Sequence, residues 1–167
     1  MTQKTSQNAD LPQRRSPRIR GFNYPPTLAY SITICTRHRI PFLADQEVGR
    51  IVVECLKDHA QRCRYRLIAY CIMPDHIHIL TGPSSDERAI PLPRFIRQFK
   101  AAVTYSLATL SLGGSIWQRS FYDHVLRKDE DLAEVARYIL DNPVRKGLVD
   151  APEQYPLSRC FLDEWPA

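Results

Sequence analysis

The alternation of apolar and polar residues predicts four β-strands along the chain. Residues 27–36 alternate aromatic and β-branched side chains, as a half-buried strand does. Residues 65–73 and 76–81 are apolar runs separated by only two residues, a connection so short that an antiparallel hairpin is expected. A fourth strand is predicted near residues 121–127, where aromatic and β-branched residues return.

Apolar residues at helical spacing predict three helices between and after these strands. Asp45 suits the N-cap of the first helix, which continues to about Gln61. The second helix is predicted at residues 92–110. The third is predicted at residues 129–142, where Pro143 would stop it.

The resulting order, β-α-β-β-α-β-α, contains the split βαβ pattern of ferredoxin-like proteins in its first six elements. We therefore predict an α+β fold, a four-stranded antiparallel sheet with helices on one face and an additional C-terminal helix. The third strand is expected in the middle of the sheet. The opposite sheet face would then be free to hold a functional site.

Length and composition are those of one globular domain with terminal extensions. The chain has 167 residues, of which 44% are hydrophobic and 25% charged, and it lacks the ~20-residue apolar run that spans a bilayer. No apolar leader is visible, so no secretory signal is predicted. We expect a flexible basic arm at residues 1–26, a catalytic domain at 27–150 and a tail at 151–167.

The five cysteines form no C-x-x-C pair and fall mostly in apolar runs, so they are expected to be reduced and buried in a cytoplasmic protein. The net charge of +5 is concentrated in the arm, which contains five basic residues and one acidic residue. Such an arm suits a nucleic-acid partner and association with the nucleoid. A solvated tail without a partner explains the same charge equally well.

Two histidines on the third strand are the first candidates for chemistry. Side chains alternate along a strand, so His76 and His78 share one face, with Cα atoms about 6.6 Å apart. Two imidazoles at this spacing can bind one metal ion. Hydrogen-bonded or partly exposed histidines without a metal are the more ordinary explanation of the pattern.

The last helix supplies two more candidates. Tyr138 and Asn142 are four residues apart and share a helix face, which brings a hydroxyl and an amide oxygen together. Packing of the tyrosine ring and termination of the helix before Pro143 account for these residues without any chemical role.

Several segments in order resemble the HUH-superfamily single-tyrosine transposases, and specifically their REP-associated branch. Residues 74–78 (PDHIH) are similar to the histidine–hydrophobic–histidine signature, and residues 138–144 (YILDNPV) are similar to the tyrosine-helix motif. Residues 30–36, 116–119 and 121–124 resemble that branch in the same order. The resemblance covers roughly residues 21–150.

The resemblance implies a DNA transposase that cleaves and rejoins single-stranded, hairpin-forming DNA. Tyr138 would be the nucleophile and would become linked to the 5′ phosphate. His76, His78 and Asn142 would bind Mg²⁺ or Mn²⁺, although many relatives have Gln in place of Asn and two imidazoles by themselves favour Zn²⁺, Cu²⁺ or Ni²⁺. Neither the recognised DNA sequence nor the choice between monomer and homodimer follows from the sequence.

Basic residues are the candidate contacts to the DNA backbone. They lie in the arm, after the first strand, on the second helix and before the fourth strand: Arg14, Arg15, Arg18, Arg20, Arg37, Arg39, Arg94, Arg97, Lys100 and Arg119. Two alternatives to a transposase remain open at this point. One is a catalytically idle nucleic-acid-binding protein, and the other is a metal-dependent phosphodiesterase that uses water.

Overall fold

A single antiparallel sheet forms the centre of the computed structural model, which describes residues 29–84, 89–112, 114–126 and 131–162. The strands stand in the order β4-β1-β3-β2-β5. Their bounds are β1 Tyr30–Cys35, β2 Tyr65–Met73, β3 His76–Pro83, β4 Tyr122–Val125 and β5 Ser158–Cys160. The first four strands have the predicted ferredoxin-like topology, and β3 lies in the middle as expected.

Two long helices cover one face of the sheet. Helix α1 (Gln46–Arg62) begins where the Asp45 carboxylate accepts hydrogen bonds from the backbone N–H groups of Glu47 and Val48, at 2.8 and 3.1 Å, which confirms the predicted N-cap. Helix α2 (Leu92–Ala108) buries a stripe at helical spacing against the sheet: Phe95, Phe99, Val103 and Leu107.

The last predicted helix is two helices. Helix α3 (Leu132–Leu140) ends before Asp141, and the short helix α4 (Asn142–Arg145) follows at once. Pro143 lies within the first two positions of α4, where its missing N–H removes no intrahelical hydrogen bond. Helix α3 thus ends two residues before the predicted end, and helix α4, which begins at Asn142 with Pro143 at its second position, was not predicted.

Helix α3 packs on the sheet face opposite α1 and α2. Its Ala136 and Ile139 lie in a second apolar cluster with Met73 and Leu80, separate from the main core under α1 and α2. That face is thus partly covered, and the histidines of β3 lie beside the covering helix.

The segment after Asp150 adds a fifth strand that was not predicted. Strand β5 pairs with the outer edge of β2, and the Tyr155 hydroxyl donates to the Ile72 carbonyl at 2.7 Å. Leu157 is buried in the main core and occupies the space that a Cβ at Gly49 of α1 would take. In the described part of the chain, no helix is long and apolar enough to cross a membrane.

We expect Leu157→Ala to destabilise the domain by about 2–4 kcal/mol, because the substitution leaves a cavity between α1 and the sheet. Chemical denaturation measures this loss. Leu148→Ala is the matched control, since Leu148 is 45% exposed and its truncation should change the free energy of unfolding by less than about 0.5 kcal/mol. Equal small effects for the two variants would show that the C-terminal segment does not pack onto the domain.

Candidate active site

The two imidazoles of β3 converge at one point. The Nε2 atoms of His76 and His78 are 3.0 Å apart, and the rings stand nearly perpendicular, at 86°. The strand alternation predicted from the sequence places them on the face that carries α3, while Ile77 and Ile79 enter the main core. Two nitrogen atoms at this separation are spaced as adjacent ligands of one ion with metal–nitrogen distances of about 2.1 Å.

Each imidazole is oriented through its other nitrogen. His76 Nδ1 lies 2.6 Å from the Asp75 carboxylate, and His78 Nδ1 lies 3.1 Å from the Thr33 hydroxyl on β1. The Asp75 carboxylate also forms an ion pair with Arg39, whose Nε atom lies 3.3 Å from Asp75 Oδ2. Carboxylate and hydroxyl partners of this kind fix the ring and its tautomer in metal-binding histidines.

These contacts define where the protons lie when the imidazoles are joined by a hydrogen bond. The Asp75 carboxylate can only accept, so His76 donates from Nδ1 and its Nε2 carries a lone pair. His78 then donates from Nε2 to His76 and accepts from the Thr33 hydroxyl. Binding of one ion by both Nε2 atoms requires the His78 proton to lie on Nδ1 instead of Nε2. The Nδ1–H group can then donate a hydrogen bond to the Thr33 hydroxyl oxygen. The change of tautomer releases no proton from the pair.

Burial keeps both histidines neutral. Burial lowers the pKa of His76, and this effect is larger than the opposing increase caused by the Asp75 carboxylate. It lowers the pKa of His78 to about 3, and the neighbouring His76 and Arg39 add to this shift. Neutral imidazole is the form that binds metal ions, so the environment favours the ligating form of both side chains.

Asn142 lies at the junction of α3 and α4 and is buried. Its Nδ2 atom donates to the carbonyl oxygens of Tyr138 and Ile139, at 3.0 and 3.2 Å. The amide nitrogen thus stabilises the end of α3, and the amide oxygen is the atom left for a cation. Among the described residues, no group of three His, Cys, Asp or Glu side chains is placed to hold a metal, so a third protein ligand would have to be of another type.

Tyr138 is 39% exposed on α3, and its ring faces the guanidinium of Arg145 on α4, with the Arg145 Cζ atom 4.6 Å from the ring centre. The charge of Arg145 also lowers the pKa of His78, and that of Lys146 lowers the pKa of His76. The helix pair therefore brings Tyr138 and two cations to the side of the histidines. None of the hydrogen bonds between described residues involves the Tyr138 hydroxyl.

The described basic residues expected to contact DNA lie in the histidine site and along two adjoining hollows. Arg39 belongs to the histidine site through Asp75, and Arg37 and Arg119 border a hollow beside Trp117. Arg119 also lines a groove between α2 and the segment before β4, together with the remaining described cations, Arg94, Arg97 and Lys100. The four arginines of the arm, at positions 14, 15, 18 and 20, lie outside the described residues.

Four residues of the site were not singled out from the sequence: Thr33, Asp75, Arg145 and Lys146. Thr33 is a polar residue at the centre of an apolar strand, and its register opposite His78 depends on strand order, which the local pattern does not contain. Asp75 precedes His76 directly and was visible as the turn residue. Arg145 and Lys146 lie beyond the predicted end of the last helix.

We expect Asn142→Asp to destabilise the metal-free domain by about 1–3 kcal/mol. The carboxylate cannot donate to the Tyr138 and Ile139 carbonyls, and it places negative charge beside acceptor atoms. Urea unfolding in the presence of a chelator measures this loss without any contribution from metal binding. An unchanged free energy of unfolding would show that the amide nitrogen does not hold the end of α3.

Comparison with known proteins gives a consistent result. The family model described as IS200-like transposase matches residues 26–142. A Haemophilus influenzae protein described as a candidate REP-associated tyrosine transposase is 33% identical over 115 residues, which cover 64% of this chain and 65% of the relative. The REP-associated tyrosine transposase of Escherichia coli is 28% identical over 59% of this chain and 56% of that protein. This chain thus spans less than two thirds of either relative.

A solved structure supports the fold. A REP-associated tyrosine transposase bound to a REP hairpin superposes with a TM-score of 0.68 at 22% identity, over 82% of this chain and 79% of that one. The resemblance noted in the sequence and the ferredoxin-like α+β fold are confirmed. The strand count is five rather than four, because β5 extends the sheet.

Proposed function

Because the chain belongs to the IS200-like transposase family, we propose that it is a DNA strand-transferase acting on single-stranded, hairpin-forming repeat DNA. The observation that carries the proposal is the convergence of the His76 and His78 Nε2 atoms, 3.0 Å apart, beside the helix pair that bears Tyr138. The class of DNA is taken from the REP-associated relatives and the hairpin-bound neighbour.

The residues of the site fit a divalent ion. The imidazoles of His76 and His78 and the amide oxygen of Asn142 would hold Mg²⁺ or Mn²⁺ and leave positions for phosphate oxygens. Both imidazoles are neutral, and the Nδ1 atom of each has a hydrogen-bond partner. When bound, the ion would neutralise phosphate charge and draw electron density from phosphorus. The oxygen ligands expected from DNA and water suit these hard ions better than the imidazoles do.

Tyr138 would be the nucleophile in a transesterification. Its Oη atom forms a bond to the scissile phosphorus, and the bond between phosphorus and the 3′ oxygen breaks. The phenol proton is transferred to the leaving oxygen, so the products are a 5′-phosphotyrosine and a free 3′ hydroxyl. One phosphodiester replaces another, and a second 3′ hydroxyl can therefore reverse the step and rejoin DNA without an external energy source.

The cations around the site support binding of a phosphate. Arg145 stacks on the Tyr138 ring, and its charge lowers the pKa of His78. The charge of Lys146 lowers the pKa of His76. Arg39 forms an ion pair with Asp75. A phosphodiester entering between the imidazoles and Tyr138 would meet positive charge on more than one side. Such charge stabilises the pentacoordinate transition state, which carries more negative charge on its non-bridging oxygens than the ground state does.

The proposal is tested by incubating the protein with end-labelled single-stranded hairpin DNA and Mn²⁺. A covalent protein–DNA band is expected, and it should be lost in both Tyr138→Phe and His76→Ala. Tyr105→Phe is the matched control, since Tyr105 is 76% exposed on α2 and should leave the band unchanged. Cleavage that survives Tyr138→Phe would instead indicate hydrolysis by water, and binding without cleavage would indicate an idle binding protein.

Asp75→Asn should weaken Mn²⁺ binding by about 10- to 100-fold, the usual effect of removing a carboxylate behind a ligating histidine. Isothermal titration calorimetry measures this affinity without reference to activity. Asp58→Asn is the control, because Asp58 is an exposed residue of α1 that pairs only with the neighbouring Arg62 among described residues. If the two variants bind Mn²⁺ equally well, the Asp75 carboxylate does not support His76.

A further inference from the structure

The ring of Tyr138 is not enclosed by the apolar cores. The side chain is exposed, and it belongs to neither of the two apolar clusters. A side chain that faces water can rotate between staggered positions about its Cα–Cβ bond. A nucleophile reacts fast only when it is held in line with the bond that it breaks, so a contact outside the cores has to orient this ring.

Arg145 provides such a contact. Its guanidinium carbon lies over the Tyr138 ring, 4.6 Å from the ring centre, within the range of about 6 Å in which a cation is attracted to an aromatic face. The charge of Arg145 also lowers the pKa of His78, so the guanidinium is within electrostatic range of the imidazole pair. One side chain therefore acts on both halves of the proposed site.

The start of α4 ties the backbone of Arg145 to the helix that carries Tyr138. The Arg145 N–H group donates to the carbonyl oxygen of Asp141, the residue between the two helices, at 2.9 Å. The Asn142 amide donates to the carbonyl oxygens of Tyr138 and Ile139. The first turn of α4 is thus joined to the last turn of α3.

The end of α4 is closed by a glycine turn. Gly147 has a φ of 67°, a conformation that glycine adopts without strain. The Gly147 N–H donates to the Val144 carbonyl and the Leu148 N–H to the Pro143 carbonyl, both at 2.9 Å, which is the Schellman pattern of helix ends. With both ends tied, α4 holds the backbone of Arg145 beside Tyr138.

We propose that Arg145 is a positioning residue, which holds the Tyr138 ring in the orientation for attack on phosphorus; this inference rests on the proposed function. A guanidinium over the ring face restricts rotation of the ring and leaves the hydroxyl at its edge free to react. Arginine suits this role better than lysine, because a planar guanidinium stacks on a ring and an ammonium is a compact point charge.

A residue that acts through the nucleophile changes the rate of the chemical step and not the affinity for DNA. A residue that only contacts DNA changes the affinity with the maximal rate unaltered. The two roles of an arginine beside Tyr138 are therefore separable by kinetics.

The first measurement tests the contact without DNA, by NMR of the full chain with ¹³C-labelled tyrosine rings. Tyr138→Phe assigns the Tyr138 signal among the eight tyrosines. Arg145→Gln should shift that signal, because the cation leaves the ring face. Arg137→Gln is the matched control: it removes the same charge from an exposed position of α3 directly before Tyr138, and it should shift the signal far less.

The second measurement is single-turnover formation of the covalent adduct on hairpin DNA with a single-stranded flank, at saturating Mn²⁺ and varied protein concentration. Arg145→Gln should lower the maximal rate by about 10- to 100-fold, the usual effect of a misplaced reacting group. It should change the half-saturating concentration by less than about threefold. Arg145→Lys should recover part of the rate, and Arg137→Gln should leave both quantities within about twofold of the wild type.

A loss carried by the half-saturating concentration alone would make Arg145 a DNA contact and overturn the proposal. An unchanged Tyr138 signal in Arg145→Gln, or an equal loss of rate in Arg137→Gln, would do the same. Arg145 is exposed, so its substitution removes no core packing, and circular dichroism of the variant should match the wild type.

The two measurements also separate this proposal from the proposed function. If the wild type forms no adduct, the strand-transferase fails, and the role of Arg145 in attack fails with it. If Arg145→Gln forms the adduct at the wild-type maximal rate, the positioning role fails alone.

Discussion

The candidate site depends on a row of three hydrogen bonds and one ion pair that crosses the centre of the sheet. It runs from Thr33 on β1 through His78 and His76 on β3 to Asp75 and then Arg39. Each group in the row orients the next, and the antiparallel register that pairs Thr33 with His78 fixes the row. A shift of the register by one residue would turn both imidazoles into the apolar core.

Burial makes the same row chemically useful. Partial burial against the sheet and α3 lowers the pKa of both imidazoles and favours their neutral form, and the charges of Arg39, Arg145 and Lys146 act in the same direction. Neutral ligands in a positive site suit an ion and a phosphate together, because the ion binds the lone pairs and the cations attract the phosphate. A site built to bind a metal cation alone would favour surrounding carboxylates.

Much of this architecture could be predicted from local pattern. The hairpin of β2 and β3, the helices α1 and α2 and the shared face of His76 and His78 follow from periodicity and a two-residue turn. Strand β5 could not be found in this way, because three residues give no periodic signal and its position depends on the open edge of β2. The break between α3 and α4 was missed because a proline that ends one helix can equally begin the next.

The sequence supplied candidate residues for the site but not their arrangement. His76, His78, Tyr138 and Asn142 are candidates because of their spacing and the resemblance to known transposases, and the structure brings the two imidazoles together. Thr33 and Arg145 could not be identified in this way, because each acquires its role from an element distant in the sequence. The grouping of the arginines into a groove depends on Lys100, whose bonds to two carbonyl oxygens become visible only when α2 and the segment before β4 are adjacent.

The central claim is that Tyr138 and the histidine pair form one active site, and mass spectrometry of the trapped adduct tests it most directly. After reaction with hairpin DNA and digestion by nuclease and protease, the peptide containing Tyr138 should carry a 5′-linked nucleotide. The modification should be absent when His76 and His78 are replaced by Ala. A nucleotide on any other residue, or one that forms on Tyr138 without the histidines, would contradict the account.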